Sequence, residues 1–481
     1  MTLKKAKIYI YITVFTLIFT AGCKNYRAVV TKADLKLPDT FTNSSDTLTV
    51  AALPVKQFFS DERLIRLIDT ALANNPDMLS AMQRIEVARA NLRFNASKLL
   101  PQVSIAANAG VEKYGDYTQN GVGNYDTNLS PNVSGDKRIP NPVHNYFLGF
   151  QSSWEVDLWG KLNNQKKAAF ARFLASQSGY KLIITSLTAQ VANLYYQLMS
   201  LDTELAIIKK NIALQQNALE IVKIQKQGGR ATELAVQQFQ AQLLRTKSLQ
   251  FTTIQQIKET ESQLNFLTGR YSGTIARDTS ITAAVLPSAL SAGIPAQMLL
   301  NRPDIHAAEL ELTAMNADIK AARANFLPTL NLTPYVGYNA FKAGLLFNPG
   351  SFTYGILGGL TAPLFNRKAL KADYARTVAE SKIAVYNYQK AIMAGFQEIT
   401  NNLNGIENYR QTYEFKQQEL QSLQSALSVA NDLYVVGRAN YLEIITAQRS
   451  VLDAELELAN TKRNMFLSAV NLYQSAGGGW R

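Results

Sequence analysis

The sequence predicts a mixed membrane protein in which short lipid-facing β-strands are carried on long coiled-coil helices, with the whole pattern present twice in the chain. Three observations predict it. One stretch occurs twice, 227 positions apart, without a gap. Four segments of about ten residues alternate apolar and polar side chains, the period of a strand with one face in lipid. Long runs free of proline carry apolar residues at a 3.5-residue period, the period of coiled-coil packing.

The repeated stretch runs from Asn74-Asn75-Pro76-Asp77 to Leu100-Pro101, and again from Asn301-Arg302-Pro303-Asp304 to Leu327-Pro328. Asn74/Asn301, Pro76/Pro303, Asp77/Asp304, Ala81/Ala308 and Ala90/Ala317 are identical across the shift. Each copy opens with Pro at the first helical position, where its missing N–H costs nothing, and Asp in the first turn, where it suits the helix dipole. Each closes at a second Pro, which ends the helix and opens an alternating segment.

The N-terminus reads as a secretory signal: Lys4, Lys5 and Lys7 precede the apolar run from Ile8 to Phe19. That run is short for a membrane-spanning helix. It ends at Thr20-Ala21-Gly22-Cys23, with Thr20 where a lipoprotein signal usually has Leu. Cys23 is the single cysteine, so it forms no internal disulfide. The expectation is a lipoprotein signal over residues 1–22 and an acylated Cys23 as lipid anchor. Residues 23–56, polar and without period, then read as an extended lead.

Residues 57–100 are expected to be helical, followed by a strand near Val103–Val111 and a long loop over 112–141 rich in Gly, Asn, Asp and Ser. In the next strand Tyr146, Leu148, Phe150, Trp154, Val156 and Leu158 fall on one face and Gln151, Ser153, Glu155 and Asp157 on the other. In the second half Leu330, Leu332, Val336 and Tyr338 form one strand, and Phe352, Tyr354, Ile356, Leu360 and Leu364 another. Four strands cannot close a barrel, and lipid does not tolerate an open edge, so the chain must supply part of a shared barrel.

From about Leu162 to Gln227 no Pro occurs, and Leu187, Val191, Leu194, Leu198, Leu201, Leu205 and Ile208 step by four and three. At about 1.5 Å per residue such a helix is on the order of 100 Å long. A second helix is expected to about Thr268. Ile392, Ile399, Ile406, Tyr413, Leu420, Leu427 and Tyr434 recur every seven residues, while the companion seam Phe396, Leu403, Arg410, Gln417, Gln424, Asn431 turns polar toward Gly437. The two helical turns also repeat: Gly229-Arg230-Ala231 and Gly437-Arg438-Ala439 superpose at a shift of 208. The expected organisation is one unit over 57–270 and a second over 296–481, each a helix, two strands and two long helices, joined by a linker at 271–295.

The 481 residues are 47% hydrophobic, with mean hydropathy −0.09, which excludes a multi-span helical membrane protein. The formal charge of +13 falls to about +10 once the three signal lysines leave. Lys and Arg are spread through the heptads rather than clustered, and export removes the chain from nucleic acid, so the charge reads as solvated faces. No catalytic set is present: His144 and His306 are far apart, and zinc spacing, phosphate loop and nucleophile elbow are all missing. No enzyme activity, cofactor or metal is expected.

Arg302-Pro303-Asp304-Ile305, the close Ala321-Ala322-Arg323-Ala324-Asn325-Phe326-Leu327-Pro328, and the ending Asn471-Leu472-Tyr473-Gln474-Ser475-Ala476-Gly477-Gly478-Gly479-Trp480 resemble the bacterial outer-membrane efflux family of TolC- and OprM-like channels. The resemblance covers residues 57–480. It implies a homotrimer with a twelve-stranded β-barrel, four strands per chain, continued by a periplasmic barrel of coiled-coil helices. It implies a passive outer-membrane duct for drugs and toxic small molecules, anchored in lipid and extending into the periplasm, served by a periplasmic adaptor and an inner-membrane RND-type pump. It places the periplasmic tip and adaptor contacts at Gly229, Arg230, Gly437 and Arg438. Aperture candidates are Tyr434, three before the tip glycine, and Glu443, six after it. Ala235 stands at the matching position of the other tip and Thr446 replaces a further expected acid, so one ring of three carboxylates is implied. Alternatives are a duct for protein secretion or metal ions, though the eight Met are scattered, and a structural coiled-coil tether, which would have no need of lipid-facing strands.

Overall fold

The computed structural model describes residues 38–41, 49–133, 135–278, 280–286, 290–293, 295–363 and 365–480. The expected signal peptide, Cys23, most of the lead and Leu364 lie outside them. In chain order the elements are α1 (Val55–Phe58), α2 (Glu62–Asn74), α3 (Pro76–Ser97), β1 (Gln102–Glu112), α4 (Gln119–Leu129), β2 (Val143–Val156), α5 (Lys161–Gln227), α6 (Glu233–Leu267), α7 (Pro295–Asn301), α8 (Pro303–Ala324), β3 (Thr329–Ala340), β4 (Phe352–Thr361), α9 (Arg367–Val435) and α10 (Tyr441–Ser475). Both Pro residues of the repeat open a helix, α3 and α8. The long helices come in matched sizes: 67 and 69 residues for α5 and α9, 35 each for α6 and α10. Among the described residues no helix is long and apolar enough to cross a membrane.

The described residues form two compact units. The first comprises Ala88–Arg172 and Glu311–Val385 and holds an antiparallel sheet in the order β1-β2-β3-β4. Register places Ile105 opposite Phe150, Phe150 opposite Val336, and Val336 opposite Tyr354. This row of apolar side chains crosses all four strands and is exposed in every one of them, by 40% at Val336 and 76% at Tyr354. The adjacent row, Ser104, Gln151, Tyr335 and Gly355, points to the other face. β2 and β3 approach closely where Gly149 faces Gly337. A Cβ on Gly337 would lie 2.5 Å from the Leu148 carbonyl oxygen, so only glycine fits without a backbone shift. Among the described residues β1 and β4 pair on one side only, leaving an open edge at each end of the sheet.

Two indoles fasten the sheet to the segments that lead into it. Trp154 Nε1 donates to the Leu99 carbonyl at 3.0 Å and Trp159 Nε1 to that of Pro328 at 2.6 Å. Below them Ala168 and Ala171 of α5 pack against Ala314 and Ala317 of α8, and Arg172 bonds Glu311 at 3.1 Å and Asp318 at 2.7 Å.

Three expectations are corrected here. The second strand stops at Val156, so Asp157 and Leu158 lie beyond it. Asp157 instead accepts the backbone N–H groups of Leu162 and Asn163, both at 2.9 Å, because the orphan donors at the start of α5 need an acceptor. Glu155 forms an ion pair with Lys161. The fourth strand ends at Thr361, short of Leu364. The expected loop 112–141 contains α4: Thr118 caps it by accepting from Gly121 N–H at 3.1 Å, and the Asn128 amide bonds the backbone of Ile139 in both directions at 2.9 Å.

The second unit comprises Ala33–Val87, Phe173–Leu310 and Tyr386–Arg481. The seam of α5 is buried at Leu187, Val191, Leu198, Leu201 and Ile208. On α9, Ile392 and Ile399 are buried, Ile406 to Tyr434 are half-buried, and Arg410, Gln417, Gln424 and Asn431 are exposed. The end of the expected extended lead is helical rather than extended. Phe58 of α1 stacks on Tyr473 at 4.1 Å between centroids, and the Tyr473 hydroxyl donates to the Leu53 carbonyl at 2.7 Å. Burial of two aromatic rings outweighs the weak local pattern there. In the linker, Arg277 is held between Asp202 and Glu261.

Candidate functional site

The candidates gather at two helical hairpins of the second unit, α5–α6 and α9–α10. Both turns have one construction. Gly229 and Gly437 take φ of +68° and +72°. The following Arg230 N–H donates to Gln225 O, and Arg438 N–H to Leu433 O, each at 2.8 Å. This is a Schellman closure, which needs a left-handed residue just past the helix. The side chains of Arg230 and Arg438 are exposed beyond it.

Just past the turns the two hairpins diverge. Thr232 caps α6 by accepting from Ala235 N–H at 3.2 Å. Asn440 caps α10 by accepting from Leu442 N–H at 2.9 Å and Glu443 N–H at 3.2 Å, and its own amide donates to Glu443 Oε1 at 3.3 Å. Glu443 is thus the third residue of a reciprocal cap, exposed to solvent. Ala235, at the matching position, is fully buried. A carboxylate there would carry a large desolvation cost, which explains why only one hairpin has the acid. Lys226 and Glu233 close the first hairpin as an ion pair; at a shift of 208 the second hairpin has Tyr434 and Tyr441 instead.

The reason for that exchange is packing. Leu219, Val222, Ala235, Phe239, Leu243 and Ile444 form one buried cluster, with Tyr434, Tyr441 and Ile445 packed against it. The Tyr434 hydroxyl donates to Gln225 Oε1 on α5, and burial raises its pKa above the ordinary phenol value. The structure therefore brings Tyr434 to the first hairpin and leaves Glu443 on the solvent side of Ile444. Separating the hairpins requires breaking the Tyr434–Gln225 bond and uncovering this cluster.

Cys23 lies outside the described residues. His306 sits in the first turn of α8 at 3.8 Å from Glu309, and His144 stacks on Tyr146. Among the described residues no group of three or more His, Cys, Asp or Glu side chains is placed to hold a metal ion. Sequence reasoning missed Gln225 and Asn440. Asn440-Tyr441-Leu442-Glu443 carries the signature of a reciprocal cap; Gln225 has no signal of its own.

The profile of the family described as "Outer membrane efflux protein" matches residues 67–270 and 294–478. The solvent efflux pump outer membrane protein SrpC of Pseudomonas putida is 28% identical over 473 residues, 97% of each chain. The probable outer membrane lipoprotein SilC of Salmonella typhimurium is 26% identical over 474 residues, 98% of each. The cation efflux system protein CusC of Escherichia coli O6:H1 is 28% identical over 453 residues, 93% of this chain and 94% of its own. A crystal structure of CusC superposes with a TM-score of 0.79 at 25% identity, over 92% of this chain and 97% of that one.

Proposed function

The chain belongs to the outer membrane efflux protein family, and on that premise we propose that three copies share a twelve-stranded barrel and act as a passive duct for small toxic molecules. It is an outer-membrane channel component of an efflux system. The observation that carries the shared barrel is the exposed apolar row Ile105, Phe150, Val336, Tyr354 on a sheet open at both edges. Apolar side chains standing in the open suit hydrocarbon, and the edges must be paired before that sheet can sit in it.

Residues 57–270 and 296–481 are two copies of one unit joined by 271–295. Cys23 carries the lipid, in line with the lipoprotein naming of SilC. The helical hairpins at Gly229, Arg230, Gly437 and Arg438 are the periplasmic tip and meet an adaptor, which joins the duct to an inner-membrane RND-type pump that supplies the energy; the duct itself catalyses nothing. Relatives named for solvent and for cation efflux are equally distant from this chain, at 28% identity each. Selection of the substrate therefore belongs to the pump.

Removing the protein from its host should raise accumulation of a fluorescent pump substrate, and restoring it should reverse this. Unchanged accumulation would reject the duct. Cys23→Ser should lose metabolic labelling by palmitate while still reaching the outer membrane through the barrel; label retained on that variant would reject the anchor.

A further inference from the structure

We propose that, where α3 of one copy meets α9 of the next, Arg84 pairs with Glu380, the counterpart of the Arg172–Glu311 contact made inside each chain but with the charges exchanged. The inference rests on the trimer proposed above.

Topology requires the two helices to be neighbours. The open edges of the sheet are β1 and β4, and pairing copies edge to edge sets β1 of one against β4 of the next. α3 ends at Ser97 and leads directly into β1; β4 ends at Thr361 and leads directly into α9. The helix at each open edge is thus carried to the same seam as its strand.

The internal repeat supplies the faces. On α8, Ala314, Ala317 and Ala321 are buried, and the first two pack on Ala168 and Ala171 of α5. A shift of 227 turns these positions into Val87, Ala90 and Phe94 of α3. Val87 is 62% and Phe94 61% exposed, on the side opposite Met78 and Ala81, which are buried within the chain. α3 therefore has two apolar faces and one covering. α9 is in the same condition: Tyr374, Thr377 and Ser381 are buried, while Ala375, Ala379 and Ile383 form a second stripe at helical spacing that is exposed, Ile383 by 57%. The bare stripe of α3 matches the covered Ala314, Ala317 and Ala321 of α8, and within the bare stripe of α9 Ala379 matches the buried Ala171 of α5.

Charge then fixes which surfaces meet. On α8, Glu311 and Asp318 hold Arg172 of α5. At the matching positions α3 has Arg84 and Asn91, and 208 positions after Arg172 stands Glu380 of α9, which shares Arg376 with Asp373. The base is on α5 in one contact and on α3 in the other. Were α3 to settle on α5 in place of α8, Arg84 would meet Arg172. Opposed polarity keeps two similar surfaces of the same chain from exchanging partners.

Arg84→Glu and Glu380→Arg, made singly, should each speed subunit exchange between differently labelled detergent-solubilised trimers by roughly threefold or more, the lower end of coupling between contacting residues. The double variant should return exchange to the wild-type rate, and pairing Arg84→Glu with Glu311→Arg should not. A photo-crosslinker at position 94, which leaves the charges alone, should capture a peptide from Arg367–Val435 of another chain. Wild-type exchange in both single variants, additive defects in the double, or capture of an α5 peptide would overturn the proposal while leaving the trimer in place. A wild-type protein that stays monomeric would overturn the trimer, and the proposal with it.

Discussion

Asn75 and Arg302, one repeat apart, make the same contact. Asn75 Nδ2 donates to the Leu267 carbonyl at 3.0 Å, and Arg302 Nη1 donates to the Ser475 carbonyl at 2.8 Å. The donors are 227 positions apart and the acceptors 208. Each repeat thus ties the start of its proline-opened helix, α3 or α8, to the end of its last helix, α6 or α10, at an equivalent place. The difference between the two shifts is taken up by the longer β1–β2 connection, residues 113–142 against 341–351.

The two ties should differ in strength. Asn75 also caps α3 by accepting from Asp77 N–H at 2.8 Å, so Asn75→Ala should cost about 1–2 kcal/mol. Arg302, with its side chain 8% exposed, also bonds Asp304 at 2.6 Å and Glu398 at 2.7 Å. Arg302→Ala should cost more, about 2–4 kcal/mol, because it removes several charged bonds and leaves two carboxylates without their cation. Denaturant midpoints of the solubilised protein measure both; an equal or reversed ranking would contradict this account.

Gly337→Ala should disturb the sheet, since the added methyl meets the Leu148 carbonyl oxygen at 2.5 Å. Overpacking of that kind costs about 1–3 kcal/mol. Gly123→Ala, inside α4 with nothing within 4 Å, is the control and should be neutral or stabilising by up to about 1 kcal/mol. Thermal stability of the assembled protein would separate the two.

Tyr434→Phe keeps the ring in its cluster and deletes only the bond to Gln225. It should raise the frequency of channel opening in planar bilayers, and Gln225→Leu should do the same. The pair together should add little to either alone, because both remove one interaction. Full additivity would mean that the hydroxyl and the amide act separately.

Glu443→Gln isolates charge, because Gln can accept the same bond from Asn440 and preserve the cap. Three carboxylates close together concentrate negative charge and attract cations. The variant should lower cation preference and weaken block by divalent ions with assembly unchanged. If conductance, selectivity and block all match the wild type, Glu443 does not line the aperture.

The first hairpin should loosen in acid while the second does not. Bonds from Lys226 and Gln237 hold the Glu233 carboxyl below the usual carboxylate range. A depressed acid stabilises the folded form above its unfolded pKa, about 4.3, and that contribution is lost as pH falls through the folded value. Tyr434 and Tyr441 at the matching places carry no such charge. Hydrogen exchange along 226–234 should therefore accelerate below about pH 4 relative to 434–442; equal responses would rule the ion pair out as the cause.

Most of the architecture was legible because it rests on period and punctuation. Pro76, Pro303, Gly229 and Gly437 mark helix ends by conformational necessity, and the seven-residue seam from Ile392 to Tyr434 survives in the fold. The failures have a common cause. Asp157, the helix over Gln119–Leu129 and the turn at Val55–Phe58 are all decided by partners distant in sequence or by capping bonds, to which a local pattern is blind. At the hairpins the glycines could be read from sequence, and Tyr434 and Glu443 could be singled out by resemblance. That one faces a buried cluster and the other solvent depends on how α5, α6 and α10 pack.

A sheet unpaired along β1 and β4 also bears on how the cell keeps its barrier intact. One copy has no means of closing a ring, so a stray subunit cannot breach the outer membrane. A finished pore exists only after partners have met. By mass action on three subunits, its amount at low abundance rises as the third power of the free chain. Halving synthesis would then cut the number of pores by roughly eightfold, so modest control of expression has a steep effect on permeability.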